Sequence, residues 1–149
     1  SRIEAPEGAA TFFDHQPALF AAFNRFYGTI WSEGSLDQPT KEVGRLRNAR
    51  ITDCGNEDLR FAGAKQQGLS EELVELIEPG FEGSELPDRY KLAIRWADVL
   101  IGDPSSATPE LRAALAAEFT EAEIVELTIV VTMAQAFSKA AIAWGPPPT

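Results

Sequence analysis

Cysteine is almost missing from this chain: Cys54 is the only one in 149 residues. A single thiol excludes an internal disulfide and any intramolecular dithiol redox cycle, and it suits a reducing cytoplasm, the expected location. Histidine is equally scarce. The sole imidazole, His15, precedes the first predicted helix, and the sequence shows neither a Ser/His/Asp arrangement nor a metal-ligand cluster. Positive charge is short as well: 13 Lys and Arg stand against 23 Asp and Glu, for a formal net charge of -10. That balance disfavours nucleic acid and anionic membrane as partners. No glycine loop of the phosphate-cradling kind occurs. No basic-plus-apolar signal segment opens the sequence, and no apolar run reaches the roughly 18 residues that a membrane helix needs.

What is present is ordinary for a globular protein, 44% hydrophobic and 24% charged. The length fits one domain over 1–149, with an irregular arm over about 1–15 and a stiff Pro-rich tail at 146–149. Between them the apolar residues recur at helical spacing. Leu19, Phe20, Phe23, Phe26, Tyr27 and Ile30 make one stripe over 16–31. Pro39 stands near the start of a helix running from 40 to about 52. Ser70 is a cap for a run stopped by Pro79-Gly80, and 88–101 forms a helix broken by Gly102-Asp103-Pro104. Thr108-Pro109 opens another. Thr120-Glu121-Ala122-Glu123 is a capping box leading a long apolar helix over about 121–144. No segment alternates as a strand would, so the fold class is all-α, with no internal repeat.

One stretch carries the most chemical information. Glu42 lies in a helix, a short turn follows, and Cys54 opens what is read as a second helix running to Gly68-Leu69-Ser70-Glu71-Glu72. With Tyr90-Lys91-Leu92-Ala93-Ile94-Arg95-Trp96-Ala97-Asp98 and Phe119-Thr120-Glu121-Ala122-Glu123-Ile124, this order resembles the carboxymuconolactone decarboxylase and alkylhydroperoxidase D (AhpD-like) superfamily over residues 17 to 145. The resemblance implies a compact helical bundle, a homotrimer or homohexamer, and a pocket around the Glu42–Cys54 region at a subunit junction. It also implies chemistry that this chain cannot run unchanged. Redox members carry a second cysteine three residues after the first and a histidine four residues further on. Here those positions hold Glu57 and Phe61, or Arg60 if the helix is one residue shorter.

The residues themselves leave three readings. In the first, Glu42 and Glu57 are a catalytic carboxylate pair, with Arg50, Arg60 and Phe61 binding a small carboxylate or lactone. The structural counterpart is a solvated Glu57 paired with Arg60, and Arg45, Arg47 and Arg50 engaged in salt bridges. In the second, Cys54 acts alone as a peroxidatic thiol resolved by an external thiol. A helix opening and Arg50 favour its thiolate, while Asp53 and Glu57 oppose it. In the third, Cys54 is a core thiol and the protein is a non-catalytic ligand-binding oligomer. A decarboxylase-like lyase ranks ahead of a peroxidase, with no cofactor and no metal in either.

Overall fold

The computed structural model describes residues 2–145, so the Pro-rich tail expected at 146–149 lies outside the described residues. Among those described the regular structure is helical throughout, with no strand. The elements are α1 (Pro17–Ser32), α2 (Gln38–Thr52), α3 (Ala62–Gln66), α4 (Glu71–Glu75), α5 (Asp88–Ile101), α6 (Pro109–Glu118) and α7 (Glu121–Trp144). Three single 3-10 turns, Phe12–His15, Phe81–Gly83 and Pro104–Ser106, join them.

The starts follow from side chains that satisfy orphan backbone donors. Asp37 accepts from Thr40 N, Ser70 from Leu73 N, Thr108 from Leu111 N, and Thr120 from Glu123 N. The capping box at Thr120 is closed by Glu123, which accepts the Thr120 N–H at 3.0 Å. α4 ends at Glu75, one turn before Pro79-Gly80. Residues 2–11 precede the Phe12–His15 turn without regular structure, and Ile3 donates its N–H to Trp144 O near the other end of the described residues.

α2 is the axis of the bundle. It packs against α5 and α7, and its residues from Pro39 to Ala49 are all buried. Its apolar contribution to the core is Val43 and Leu46, which cluster with Ile94, Leu127 and Val131. Full burial of each such aliphatic side chain contributes roughly 1.5–3 kcal/mol. Close approach of α7 depends on Gly44, where a Cβ would stand 3.0 Å from Val131 Cγ2.

The cations of α2 act as staples. Lys41, 1% exposed, donates to the carbonyls of Ile30 and Glu33 and pairs with Glu126 of α7 at 2.8 Å. Arg47 pairs with Asp98 of α5 at 2.7 Å. Arg50 donates to the carbonyls of Val74 and Ile77, covering the end of α4.

Two expectations need correction. α7 is long and apolar enough, by length and composition, to cross a membrane, although the sequence was expected to hold no such run. Part of it packs into the core, as a central helix of a bundle does, so this is weak evidence for a membrane. The helix expected from Cys54 to Gly68 does not form. Asp53 takes a left-handed conformation (φ 50°), Gly55 another (φ 86°), and helix resumes only at Ala62. Gly55, Asn56 and Asp58 are turn formers, and here they turn the chain.

Candidate functional site

The site is built around one ion pair. Arg45 stands three residues after Glu42, so the two share a helix face. Arg45 Nε donates to Glu42 Oε2 at 2.8 Å and Nη2 to Oε1 at 2.7 Å, with both residues buried. The guanidinium continues outward: Nη1 reaches Asn56 O at 3.0 Å and Nη2 reaches Leu59 O at 2.6 Å. These bonds hold the 53–61 loop, which has no helix of its own to hold it. Phe61 closes the arrangement, its N–H donating to Glu42 Oε1 at 3.3 Å and its ring lying 4.8 Å from the Arg45 guanidinium.

Beside this pair lies a cavity of about 480 Å³, partly open to solvent and lined by residues of α1, α2, α7, the 53–61 loop and the N-terminal arm. That volume suits a small organic ligand. Phe20, Phe23, Tyr27, Phe61 and Phe137 supply aromatic walls, and Thr11 and Phe13 of the arm complete them. Phe23 and Phe137 stack across the α1–α7 junction with ring centroids 3.5 Å apart. The polar lining is sparse: Asn24, Arg45, Asn48, Cys54, Asn56 and Ser138, with the Tyr27 hydroxyl. Burial pushes the Tyr27 phenol above its ordinary value of 10.0, so at neutral pH it is an uncharged hydrogen-bond donor.

The expected site residues divide. Cys54 and Phe61 line the cavity. Cys54 is half-buried on its wall and not in the core, which corrects the core-thiol reading. It also lies in a turn, so no helix opening supports its thiolate. Glu42 stands behind Arg45 and does not line the cavity. Glu57 is half-buried in the loop, also off the lining, with its Oε2 buried and unpartnered. Arg60 salt-bridges Glu71 at 3.1 Å and donates to the backbone carbonyl of Glu57, so the expected Glu57–Arg60 side-chain pair is not formed. Arg50 is occupied by the carbonyls of α4. Phe61, and not Arg60, faces the Glu42–Arg45 pair.

Among the polar lining residues, Asn48 and Ser138 have no place in the sequence reading, and Tyr27 figures there only in an apolar stripe. A signal existed for Asn48: a helix-interior asparagine, three residues after Arg45 and one before an apolar Ala49, is placed where its amide needs a partner.

Comparisons with known proteins agree with this architecture. Residues 17–78 match the model of the carboxymuconolactone decarboxylase family. Two uncharacterized Mycobacterium tuberculosis proteins, from strains CDC 1551 / Oshkosh and H37Rv, are each 37% identical over 136 residues. The match takes in 89% of this chain and 47% of theirs, so the chain spans about half the length of these curated relatives. A crystal structure of an Agrobacterium tumefaciens protein of unknown function, described there with the suggestion of an antioxidant defence protein AhpD, superposes with a TM-score of 0.79. It is 18% identical, and the likeness covers 100% of this chain and 99% of that one. The chain thus shares its fold with that AhpD-like structure, and its N-terminal half matches the carboxymuconolactone decarboxylase family model.

Proposed function

We propose that this protein binds, and acts on, a small organic molecule with an apolar body and a carbonyl-type acceptor, a lactone in preference to a free carboxylate. The cavity beside Arg45 carries this reading. Four of the five guanidinium N–H groups are engaged within the protein, which leaves one Nη1 hydrogen for a ligand. The positive charge is already balanced by Glu42. A carboxylate entering the aromatic cavity would lose its hydration and gain no unmatched cation, whereas a neutral carbonyl needs only the remaining N–H. In this reading Glu42 orients Arg45 and does not itself meet the ligand. Proton transfer falls to lining groups, the Tyr27 hydroxyl as donor and the Cys54 thiol as acid or base.

The test follows from the position of Cys54 on the wall. Native protein is alkylated with iodoacetamide in the presence of coumarin, a neutral aromatic lactone, or of benzoate. Slower alkylation with coumarin and an unchanged rate with benzoate is the expected result. Protection by benzoate alone reverses the preference, and protection by neither removes the reading.

A second reading is favoured by one observation, the half-buried thiol facing that cavity. Here the Cys54 thiolate attacks a peroxide O–O bond, giving a sulfenic acid and an alcohol or water after protonation of the leaving oxygen. An external thiol then reduces the sulfenic acid through a mixed disulfide, because the chain holds no second cysteine. Peroxide consumption that requires added thiol and vanishes in Cys54→Ser supports it; a rate equal to that of Cys54→Ser ends it.

A further inference from the structure

Asn48 carries an orphaned polar atom at the wall of the cavity. It lies on α2, is 1% exposed, and lines the cavity between Arg45 and Ala49. Its Nδ2 donates to Ser138 Oγ of α7 at 3.1 Å, and Ser138 is itself buried and a lining residue. Its Oδ1 has no hydrogen-bond partner. Buried amide oxygens are almost always paired, so a buried, unpaired one on a cavity-lining residue marks a place for a donor.

We infer that Asn48, held by Ser138, selects ligands that carry a hydroxyl or N–H donor, and that the ligand therefore presents a donor and an acceptor on one edge. The inference rests on the lactone-type reading of the cavity and extends it by naming a second functional group. Arg45 and Asn48 are three residues apart on one helix, which sets their side chains side by side at about 5–6 Å between Cβ atoms. The Arg45 N–H takes the carbonyl, and Asn48 Oδ1 takes the hydroxyl or amine hydrogen. The ligand class is thus a hydroxylated or amino-substituted lactone or other carbonyl compound with an apolar remainder. Its rings rest on Phe23, Phe61 and Phe137. An analogue lacking the donor fills the same space but leaves Oδ1 unpaired, and sites built to bond a ligand group discriminate strongly against its loss.

Coumarin, its monohydroxy isomers and their methyl ethers separate the outcomes. Each is titrated against native protein at a mildly acid pH that keeps the phenols protonated, with protection of Cys54 from alkylation reporting occupancy of the cavity. At least one hydroxy isomer is expected to bind about tenfold more tightly than its own methyl ether. In Asn48→Leu that preference disappears while the methyl ether binds as before. Ser138→Ala, which frees the amide to turn, lowers the preference with less disturbance of the core and serves if Asn48→Leu does not fold. If coumarins protect Cys54 but no hydroxy isomer exceeds its methyl ether, Oδ1 is satisfied by water alone and the inference falls while the cavity reading stands. If none protects, both fall together.

Discussion

Arg45 grips both carboxylate oxygens of Glu42 and, with the same guanidinium, the carbonyls of Asn56 and Leu59. One side chain thus neutralises a buried acid and anchors the loop that presents Cys54. Removing either partner leaves a charge in the core with nothing opposite it. Glu42→Ala is expected to cost about 3–5 kcal/mol in denaturant unfolding. Replacing the two together, Glu42→Leu with Arg45→Met, recovers much of that loss but releases the loop, read as faster alkylation of Cys54. A double variant as unstable as the single one would refute the account.

Cys54 is predicted to react in the folded state. Iodoacetamide adds one adduct per chain without denaturant, at a rate within the range of a partly shielded thiol, and Cys54→Ser removes it. Mass spectrometry after peroxide treatment detects sulfenic, sulfinic or mixed-disulfide forms and no internal disulfide, because none can form. A thiol that reacts only in denaturant would contradict its place on the cavity wall.

Acid stability has an identifiable contributor in Asp37. Burial alone would raise its carboxyl, yet hydrogen bonds from Thr40 and Arg89 outweigh burial and hold it below the usual 3.8. A folded value under the unfolded one means the carboxylate stabilises the fold above pH 3.8, and the contribution drains as pH falls through the folded value. Asp37→Asn keeps the helix cap but loses the ion pair with Arg89. It is expected to lower stability at neutral pH by less than about 1 kcal/mol. Unfolding curves for the two proteins converge in strong acid; a gap that stays constant with pH would show that the charge is irrelevant.

The expected homotrimer or homohexamer directs attention to Phe26 and Val125. These residues, 44% and 57% exposed in the protomer, flank an apolar groove between α1 and α7. Light scattering is expected to return three or six times 16.2 kDa for the native chain. Phe26→Lys with Val125→Lys is expected to shift it towards the monomer without loss of helix by circular dichroism. A native mass of 16.2 kDa would remove the oligomer from consideration.

Most helix boundaries were legible because they are written locally. Thr108-Pro109, the Thr120–Glu123 box and Gly102-Asp103-Pro104 each act within one turn, and α5 runs over 88–101 as its periodicity indicates. The segment after Cys54 departs from the helical frame it resembles because Gly55, Asn56 and Asp58 turn the chain locally. The site was only half legible for a different reason. Cys54 and Phe61 are conspicuous residue types, whereas the burial of Glu42 and Lys41 depends on what α5, α7 and the loop bring to them. Lys41 finds Glu126, 85 positions away in the sequence, and no local pattern announces such a meeting. Asn48 has the same history, since its partner Ser138 arrives from α7.

The composition of α2 has an effect beyond holding the bundle together. Its innermost stretch, Pro39 to Ala49, includes Lys41, Glu42, Arg45, Arg47 and Asn48 alongside its few aliphatics. When thermal motion opens the protein there, water meets ammonium, carboxylate, guanidinium and amide groups before hydrocarbon. An exposed α2 is therefore a soluble surface that offers other chains little to adhere to. The adhesive element is α7, and aggregation of a damaged molecule should begin from that helix while the centre of the fold stays inert.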